Sequence, residues 1–253
     1  MLDSFNLSGK VALVTGVGRG LGHGMAVALA EAGADIAGLY LTDCALTETA
    51  VTSLGRKFLP LPCDLQTATV DDLNQVVAHV QTELGRLDIL VNNAGIIRRA
   101  PAVEFSETDW HAVVQINLNA LFFLSQAAGR VMVAQGSGKI INIASMLSFQ
   151  GGITVPAYTA AKSAVAGLTK ALANEWAAAG VNVNAIAPGY MATDNTAALR
   201  ADEKRNAAIL ERIPAARWGT PEDLSGVTVF LASAASDYVN GAVIPVDGGW
   251  LAR

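Results

Sequence analysis

The stretch Val11-Ala12-Leu13-Val14-Thr15-Gly16-Val17-Gly18-Arg19-Gly20-Leu21-Gly22 runs from a short β-branched segment straight into a turn holding four glycines, and a helical apolar pattern over 21–32 follows. A brief apolar run closed by glycines reads as a buried strand. Glycine lets the backbone turn sharply and approach a bound group, and the N–H groups and positive end of the next helix suit a pyrophosphate. Strand, glycine turn and helix together predict a dinucleotide-binding unit. The spacing is T-G-x-x-x-G-x-G. With Gly16 taken first, Leu21 stands where G-x-G-x-x-G would end on glycine.

Outward from this turn the pattern repeats. Strand-like runs at 11–15, around 35–40, and at 87–93, 139–144, 181–187 and 242–246 alternate with helical periodicity over 21–32, 67–84, 107–134, 156–178 and 221–233. Such alternation predicts right-handed βαβ units and an α/β fold: a single-domain, Rossmann-type, doubly wound parallel sheet with helices on both faces. The whole of 1–253 is expected to form one dinucleotide-binding and catalytic domain, a usual size for one α/β unit. Hydrophobic residues at 52% against charged residues at 15% agree with a doubly covered sheet. Thr220-Pro221-Glu222-Asp223 carries the marks of a helix start. The polar zone 188–220 lies past the carboxyl end of strand 181–187 and is expected to be a substrate lid.

Composition narrows the function. A net charge of -5 without a basic block predicts small-molecule chemistry and no nucleic-acid partner. No uninterrupted apolar run reaches the roughly 20 residues of a membrane-spanning helix, and the N-terminus lacks a leader pattern, so no membrane partner and a cytoplasmic location are expected. Cys44 and Cys63 have no disulfide or CxxC pattern, and His23, His79 and His111 have no metal-ligand spacing, so no metal is expected.

The chemistry lies in Tyr158-Thr159-Ala160-Ala161-Lys162. Residues four apart share a helix face, which sets an ammonium near a phenol. A phenol with a pKa near 10 is a poor base at neutral pH, and a fixed cation is expected to lower it. Ser145 closes strand 139–144, where its hydroxyl could stabilise oxyanion character at the same carbonyl. Tyr158 could then exchange a proton with an alcohol.

With these residues in order, the chain resembles the short-chain dehydrogenase/reductase family over nearly its full length. The likeness rests on Thr15 to Gly22, Asp64, Asn92-Asn93-Ala94-Gly95, Asn117, Ser145, Tyr158-x-x-x-Lys162, Pro188-Gly189 and Thr193. It implies a catalytic set of Asn117, Ser145, Tyr158 and Lys162. In it Tyr158 is the general acid of reduction and base of oxidation, while Asn117 holds a water in a proton relay. It implies a nicotinamide dinucleotide held by Gly16, Arg19, Gly20, Leu21, Gly22, Tyr40, Asp64, Leu65, Asn92, Ala94, Gly95, Tyr158, Lys162, Pro188, Gly189 and Thr193. Asp64 would lie by the adenine, Lys162 on the ribose, and Pro188 and Thr193 by the nicotinamide. It also implies a homotetramer. Stretches outside the catalytic motif, among them 92–99, 141–152, 184–196 and 235–253, resemble a subgroup acting on sugar acids of uronic-acid breakdown.

An anionic sugar-acid substrate suits Arg98 or Arg99, since a guanidinium can bind a carboxylate through two hydrogen bonds. Arg200, Lys204 and Arg205 on the expected lid are further cations. Ser145, Met146, Gln150, Tyr158 and Tyr190 complete the expected substrate contacts. For the cofactor, the position where an acid would select NAD falls on Tyr40 and is followed by Leu41; Asp43 lies farther along, and Arg19 leans toward NADP. The balance favours NAD(H), with NADP(H) open. Alternatives are another sugar or polyol substrate, an acyl thioester on a carrier protein, or a dinucleotide sensor without turnover.

Overall fold

The structure is a computed structural model, and it describes residues 2–253. Seven strands form one sheet: β1 (Val11–Thr15), β2 (Asp35–Tyr40), β3 (Phe58–Pro62), β4 (Ile89–Asn92), β5 (Gly138–Ile143), β6 (Val181–Pro188) and β7 (Val243–Val246). Their order across the sheet is β3-β2-β1-β4-β5-β6-β7 and every pairing is parallel. The helices are α1 (Gly20–Glu31), α2 (Ala45–Ser53), α3 (Val70–Leu84), α4 (Glu107–Val114), α5 (Leu121–Gln135), α6 (Pro156–Trp176), α7 (Ala197–Ala201), α8 (Glu203–Arg212) and α9 (Ser225–Ala232).

Alternate strand residues feed two cores. Ala12, Val14, Ile36, Val91, Ile141 and Ile186 pack on one face with Met25 and Leu29 of α1 and Leu231 of α9. Val11, Leu13, Leu39, Leu90, Ile140 and Val183 point the other way, toward Leu73 and Val77 of α3, Leu124 and Met132 of α5 and Leu172 of α6. Burial on both faces is why these strands read as continuous apolar runs rather than an alternation.

Four expectations from the sequence are corrected. The strand 58–62 was not among the expected strands because Phe58-Leu59-Pro60-Leu61-Pro62 carries two prolines; it forms at the sheet edge, where missing N–H donors are tolerated. The short polar helix α2 was likewise not expected. Helix α3 starts at Val70 instead of 67, because Thr69 accepts from Asp72 N while the Asp72 carboxylate takes the Thr69 N–H at 2.8 Å. The zone 188–220 is not irregular throughout, since it contains α7 and α8. The expected start at Thr220 has its capping box, although the first turn, Pro221–Leu224, is a 3-10 helix.

One helical run, Glu107–Gln135, is long and apolar enough by length and composition to cross a membrane, and half of its most apolar 18-residue window is buried within the fold. Its middle, Gln115–Ala120, widens into a π-helix. The strand order reverses between β1 and β4, and the crevice beyond the carboxyl ends of the strands at such a switch is where ligands bind in open α/β sheets.

Candidate active site

The loops after β1, β4, β5 and β6 converge on that crevice. Gly16 and Gly20 take the left-handed backbone region, φ 71° and 58°, as the sharp turn after β1 requires. A Cβ on Gly22 would run into the Gly16 carbonyl, and one on Gly16 would stand 3.0 Å from Asn93 Nδ2, so these positions exclude side chains. The turn is pinned to the β4 loop through Thr15, whose Oγ1 accepts from Asn93 N and Ala94 N, both at 2.9 Å. Asn93 Nδ2 in turn donates to Thr15 O at 2.9 Å. No side chain caps α1, which leaves its first N–H groups facing the crevice. This cradle fits a pyrophosphate, so the chain's own geometry accommodates a dinucleotide.

Asn92 ends β4 in a buried polar ladder. Its Nδ2 donates to Ser125 Oγ at 2.8 Å and to Asn142 Oδ1 at 2.9 Å, and Asn142 Nδ2 donates to Thr169 Oγ1 at 3.0 Å. Every polar atom so buried needs a partner, and here the partners tie β4, β5, α5 and α6 into one frame. Asn117, fully buried in the π-helical turn, reaches across to the β4 loop. Its Oδ1 accepts from Ile96 N at 2.9 Å and its Nδ2 donates to Ile96 O at 2.8 Å.

Ser145 follows β5 and caps a short turn, its Oγ accepting from Leu147 N at 3.1 Å. That turn is stitched to α6 because Ser148 Oγ donates to Lys162 O at 2.6 Å and Ser163 Oγ to Leu147 O at 3.2 Å. Tyr158 lies in the first turn of α6, close enough to Ser145 for that hydroxyl to act on its phenol. Lys162, 3% exposed, donates from Nζ to Ile143 O at 2.5 Å and stands 5.7 Å from the centre of the Tyr158 ring. The structure therefore brings Ser145, Tyr158 and Lys162 together, with Asn117 on the neighbouring loop.

The electrostatics differ from the sequence expectation. Burial pushes the Tyr158 phenol above its ordinary value, and the opposing influences are first its bond to Ser145 and then the charge of Arg99. Lys162 is itself brought down to about 8 by burial. The expected lowering of the phenol by Lys162 is thus corrected: desolvation outweighs it, and the cation that acts on Tyr158 is Arg99.

The remaining expected residues separate by position. Arg98 is held by Asp109, Nε to Oδ1 3.3 Å, while the exposed Arg99 has no ion pair among the described residues. Gln150 Oε1 faces Trp250 Nε1 at 3.3 Å and Arg212 Nη2 at 3.4 Å. Tyr190 packs edge-on to Trp218 and Trp250, with centroids 5.5 and 4.8 Å apart, and Met146 is buried in the same cluster. Trp218 and Trp250 were not anticipated, and no pattern in the sequence marks them. Arg19 is exposed and pairs with Asp194 at 3.3 Å; Arg200 reaches Thr193 O at 3.2 Å; Lys204 and Arg205 are exposed. Thr193 Cγ2 lies 3.7 Å from where a Gly20 Cβ would be, so the glycine turn and the loop after β6 face each other.

At the second strand, Tyr40 stands in hydrogen-bond contact with the Cys44 thiol, and Asp43 Oδ1 accepts from Ala45 N at 3.0 Å. Asp64 is exposed and Leu65 buried. A cavity of 440 Å³ between β3 and α3 includes Asp64 but none of the catalytic set.

A Rossmann-type sheet bearing a glycine turn, an uncapped helix start and a serine–tyrosine–lysine cluster defines a nicotinamide-dependent oxidoreductase. Comparisons with known proteins agree. A family model described as enoyl-(acyl carrier protein) reductase matches residues 16–251, and the chain belongs to the short-chain dehydrogenase/reductase family. It is 60% identical over 254 residues, covering all of both chains, to a 2-dehydro-3-deoxy-D-gluconate 5-dehydrogenase of Escherichia coli (strain K12). Among solved structures, an Agrobacterium tumefaciens protein provisionally assigned as 2-deoxy-D-gluconate 3-dehydrogenase, with bound NADP, is 56% identical with a TM-score of 0.93. That match covers 99% of this chain and 100% of the other. A gluconate 5-dehydrogenase from Burkholderia cenocepacia J2315 in complex with NADP and tartrate is 41% identical with a TM-score of 0.95, covering 100% of this chain and 99% of the other.

Proposed function

We propose that the chain interconverts the hydroxyl and ketone of an anionic sugar acid, with 2-keto-3-deoxygluconate, oxidised at carbon 5, as the substrate. The observation that carries this reading is the Ser145–Tyr158–Lys162 cluster beside the unpaired guanidinium of Arg99. The full-length likeness to the Escherichia coli 5-dehydrogenase supports the same substrate. It outweighs the acyl-thioester alternative, although the matching family model bears the description of an acyl-carrier-protein reductase.

The dinucleotide would be held by Gly16, Arg19, Gly20, Leu21 and Gly22 at its phosphates. Tyr40, Asp64 and Leu65 would hold the adenosine end, Asn92, Ala94, Gly95 and Lys162 the central part, and Pro188, Gly189 and Thr193 the nicotinamide end. When bound, it supplies or accepts the hydride. Tyr158 Oη moves the proton at the reacting oxygen, and Ser145 Oγ donates a hydrogen bond to that oxygen. Lys162, cationic below about pH 8, would hold the nicotinamide ribose, and the charge that favours the phenolate is that of Arg99. Asn117 keeps the β4 loop in register through its two bonds to Ile96 and supports the relay behind Lys162. Arg99 takes the substrate carboxylate.

The preference for NAD(H) shifts under this reading. No acid stands at Tyr40, Arg19 projects from the glycine turn, and the two solved structures described above hold NADP, so NADP(H) is the favoured partner and NAD(H) the weaker one. We further propose that residues 188–220 are a lid, that the enzyme is a homotetramer, and that it works in the cytoplasm.

The test is direct. Purified enzyme is mixed with 2-keto-3-deoxygluconate and either NADP or NAD, and nicotinamide absorbance is followed. Turnover is expected with both and faster with NADP. Tyr158→Phe should lower kcat by about 10²–10⁴-fold, the usual share of general acid–base catalysis, with nucleotide affinity unchanged. No turnover by the wild type with either nucleotide would overturn the substrate assignment.

A further inference from the structure

Three distant parts of the chain meet at one ring. Trp250, 5% exposed and near the C-terminus, carries the Arg212 guanidinium 4.0 Å above its centre and Tyr190 against its edge at 4.8 Å. Arg212 is the last residue of α8, and Arg253 donates to Glu211 O at 2.5 Å beside it. Ile209 and Ile213 flank the ring, with Met146, the residue after Ser145, in the same apolar cluster. Gln150 Oε1 faces both Trp250 and Arg212, but at 3.3 and 3.4 Å these are long bonds. The ring contacts and the cation over the ring face are the stronger components.

The other end of the segment is fixed independently. Gly219 N donates to Tyr190 O at 2.9 Å and Ala192 N to Gly219 O at 2.7 Å, so the two strands of chain entering and leaving 192–218 are zipped together. The base is therefore held by backbone bonds, while α8 is docked onto the substrate end of the site by Trp250.

We infer that Trp250 is a positioning residue for substrate recognition: it docks α8 through Arg212 and sets Tyr190 and Met146 as the wall of the sugar-acid site. The inference rests on the proposed reading of that site. Where a binding-competent arrangement is populated only in part, apparent affinity falls by that fraction, while turnover of the bound complex is preserved. Trp250→Ala should therefore raise KM for the sugar acid about tenfold or more with kcat within about threefold. Trp250→Phe, which keeps the ring face, should stay near wild type. Arg212→Gln alters an exposed residue that leaves the core intact, and should reproduce part of the KM increase at an unchanged Tm.

A second readout needs no substrate. Trypsin sites at Arg200, Lys204 and Arg205, which Arg212→Gln keeps, lie on α7 and α8. With NADP saturating, Trp250→Ala and Arg212→Gln should be cut at these three sites several-fold faster than wild type, and Trp250→Phe at the wild-type rate. Equal nicking of all four proteins would overturn the inference, and so would kcat and KM shifts of equal size, or a nucleotide Kd that rises as much as KM. A wild type inactive on 2-keto-3-deoxygluconate would instead sink the substrate reading, with the proteolysis result still deciding the role of Trp250.

Discussion

At the residue scale, two adjacent arginines show what a sequence can and cannot say. Arg98 and Arg99 are chemically identical, and spacing offers no way to choose between them. In the structure Asp109 sits within 3.3 Å of Arg98, while Arg99 has no ion pair among the described residues and its charge acts on Tyr158. Arg99→Gln should raise KM for the sugar acid about tenfold, the equivalent of about 1.4 kcal/mol of lost pairing. Arg98→Gln should leave it nearly unchanged, and steady-state kinetics on the two variants side by side settle the point. The pairing of Tyr158 and Lys162 was legible because helical spacing sets them on one face and the glycine turn, Asn117 and Ser145 accompany them in order. The direction of the phenol shift was not, because desolvation depends on what covers the ring and no local spacing reports that.

Lys162 gives that burial a thermodynamic consequence. Its folded-state value of about 8 lies below the 10.5 of a free lysine, so between these pH values the unfolded chain binds the extra proton. Below about pH 8 both states are charged and the burial penalty is at its full size. As pH rises from about 8 to 10.5 the penalty is relieved, and Lys162 costs progressively less stability. Lys162→Met removes the titration but leaves the other groups, including Tyr158, in place. The stability of wild type relative to Lys162→Met should then rise with pH across this window in denaturant titrations. A flat or falling difference would mean that Lys162 is not desolvated as the fold places it.

At the element scale, legibility followed how far each element advertises itself locally. β1, β5 and β6 are rich in Val, Ile and Ala and were readable even though Lys139, Asn142, Asn182 and Asn184 interrupt the last two. β3 was not, because Pro60 and Pro62 speak against a strand until it is known to sit at an edge. The π-helical turn that carries Asn117 was also invisible, since periodicity over 107–134 continues through it. The glycine turn was the most legible element, and its sharpest demand is at Gly22, where any Cβ meets the Gly16 carbonyl. Gly22→Ala should push that carbonyl into the phosphate cradle and weaken nucleotide binding by about tenfold or more, an energy near 1.4 kcal/mol. Equilibrium titration of the variant with NADP, alongside circular dichroism to show that the sheet persists, makes the measurement. Unchanged affinity would mean that the turn is structural and the dinucleotide lies elsewhere.

At the scale of the whole molecule, the helical run Glu107–Gln135 sets the question of assembly. It is apolar enough by length and composition to cross a membrane, half of its most apolar 18-residue window is buried by the rest of the chain, and Trp110 and Val133 each keep 40% of their surface exposed. Apolar surface left on a monomer is removed from water most readily against a second copy of itself, because a twofold axis makes one patch self-complementary. The proposed homotetramer would satisfy this by pairing such helices. Size-exclusion chromatography with light scattering at micromolar protein should therefore give four times the chain mass. Trp110→Glu, which places a charge on the exposed face of α4, should shift the population toward smaller species at high dilution, because an unpaired buried charge is costly. A wild type that runs as a monomer would mean that this helix face is ordinary surface, and that the expectation of assembly carried by the family resemblance does not extend to this chain.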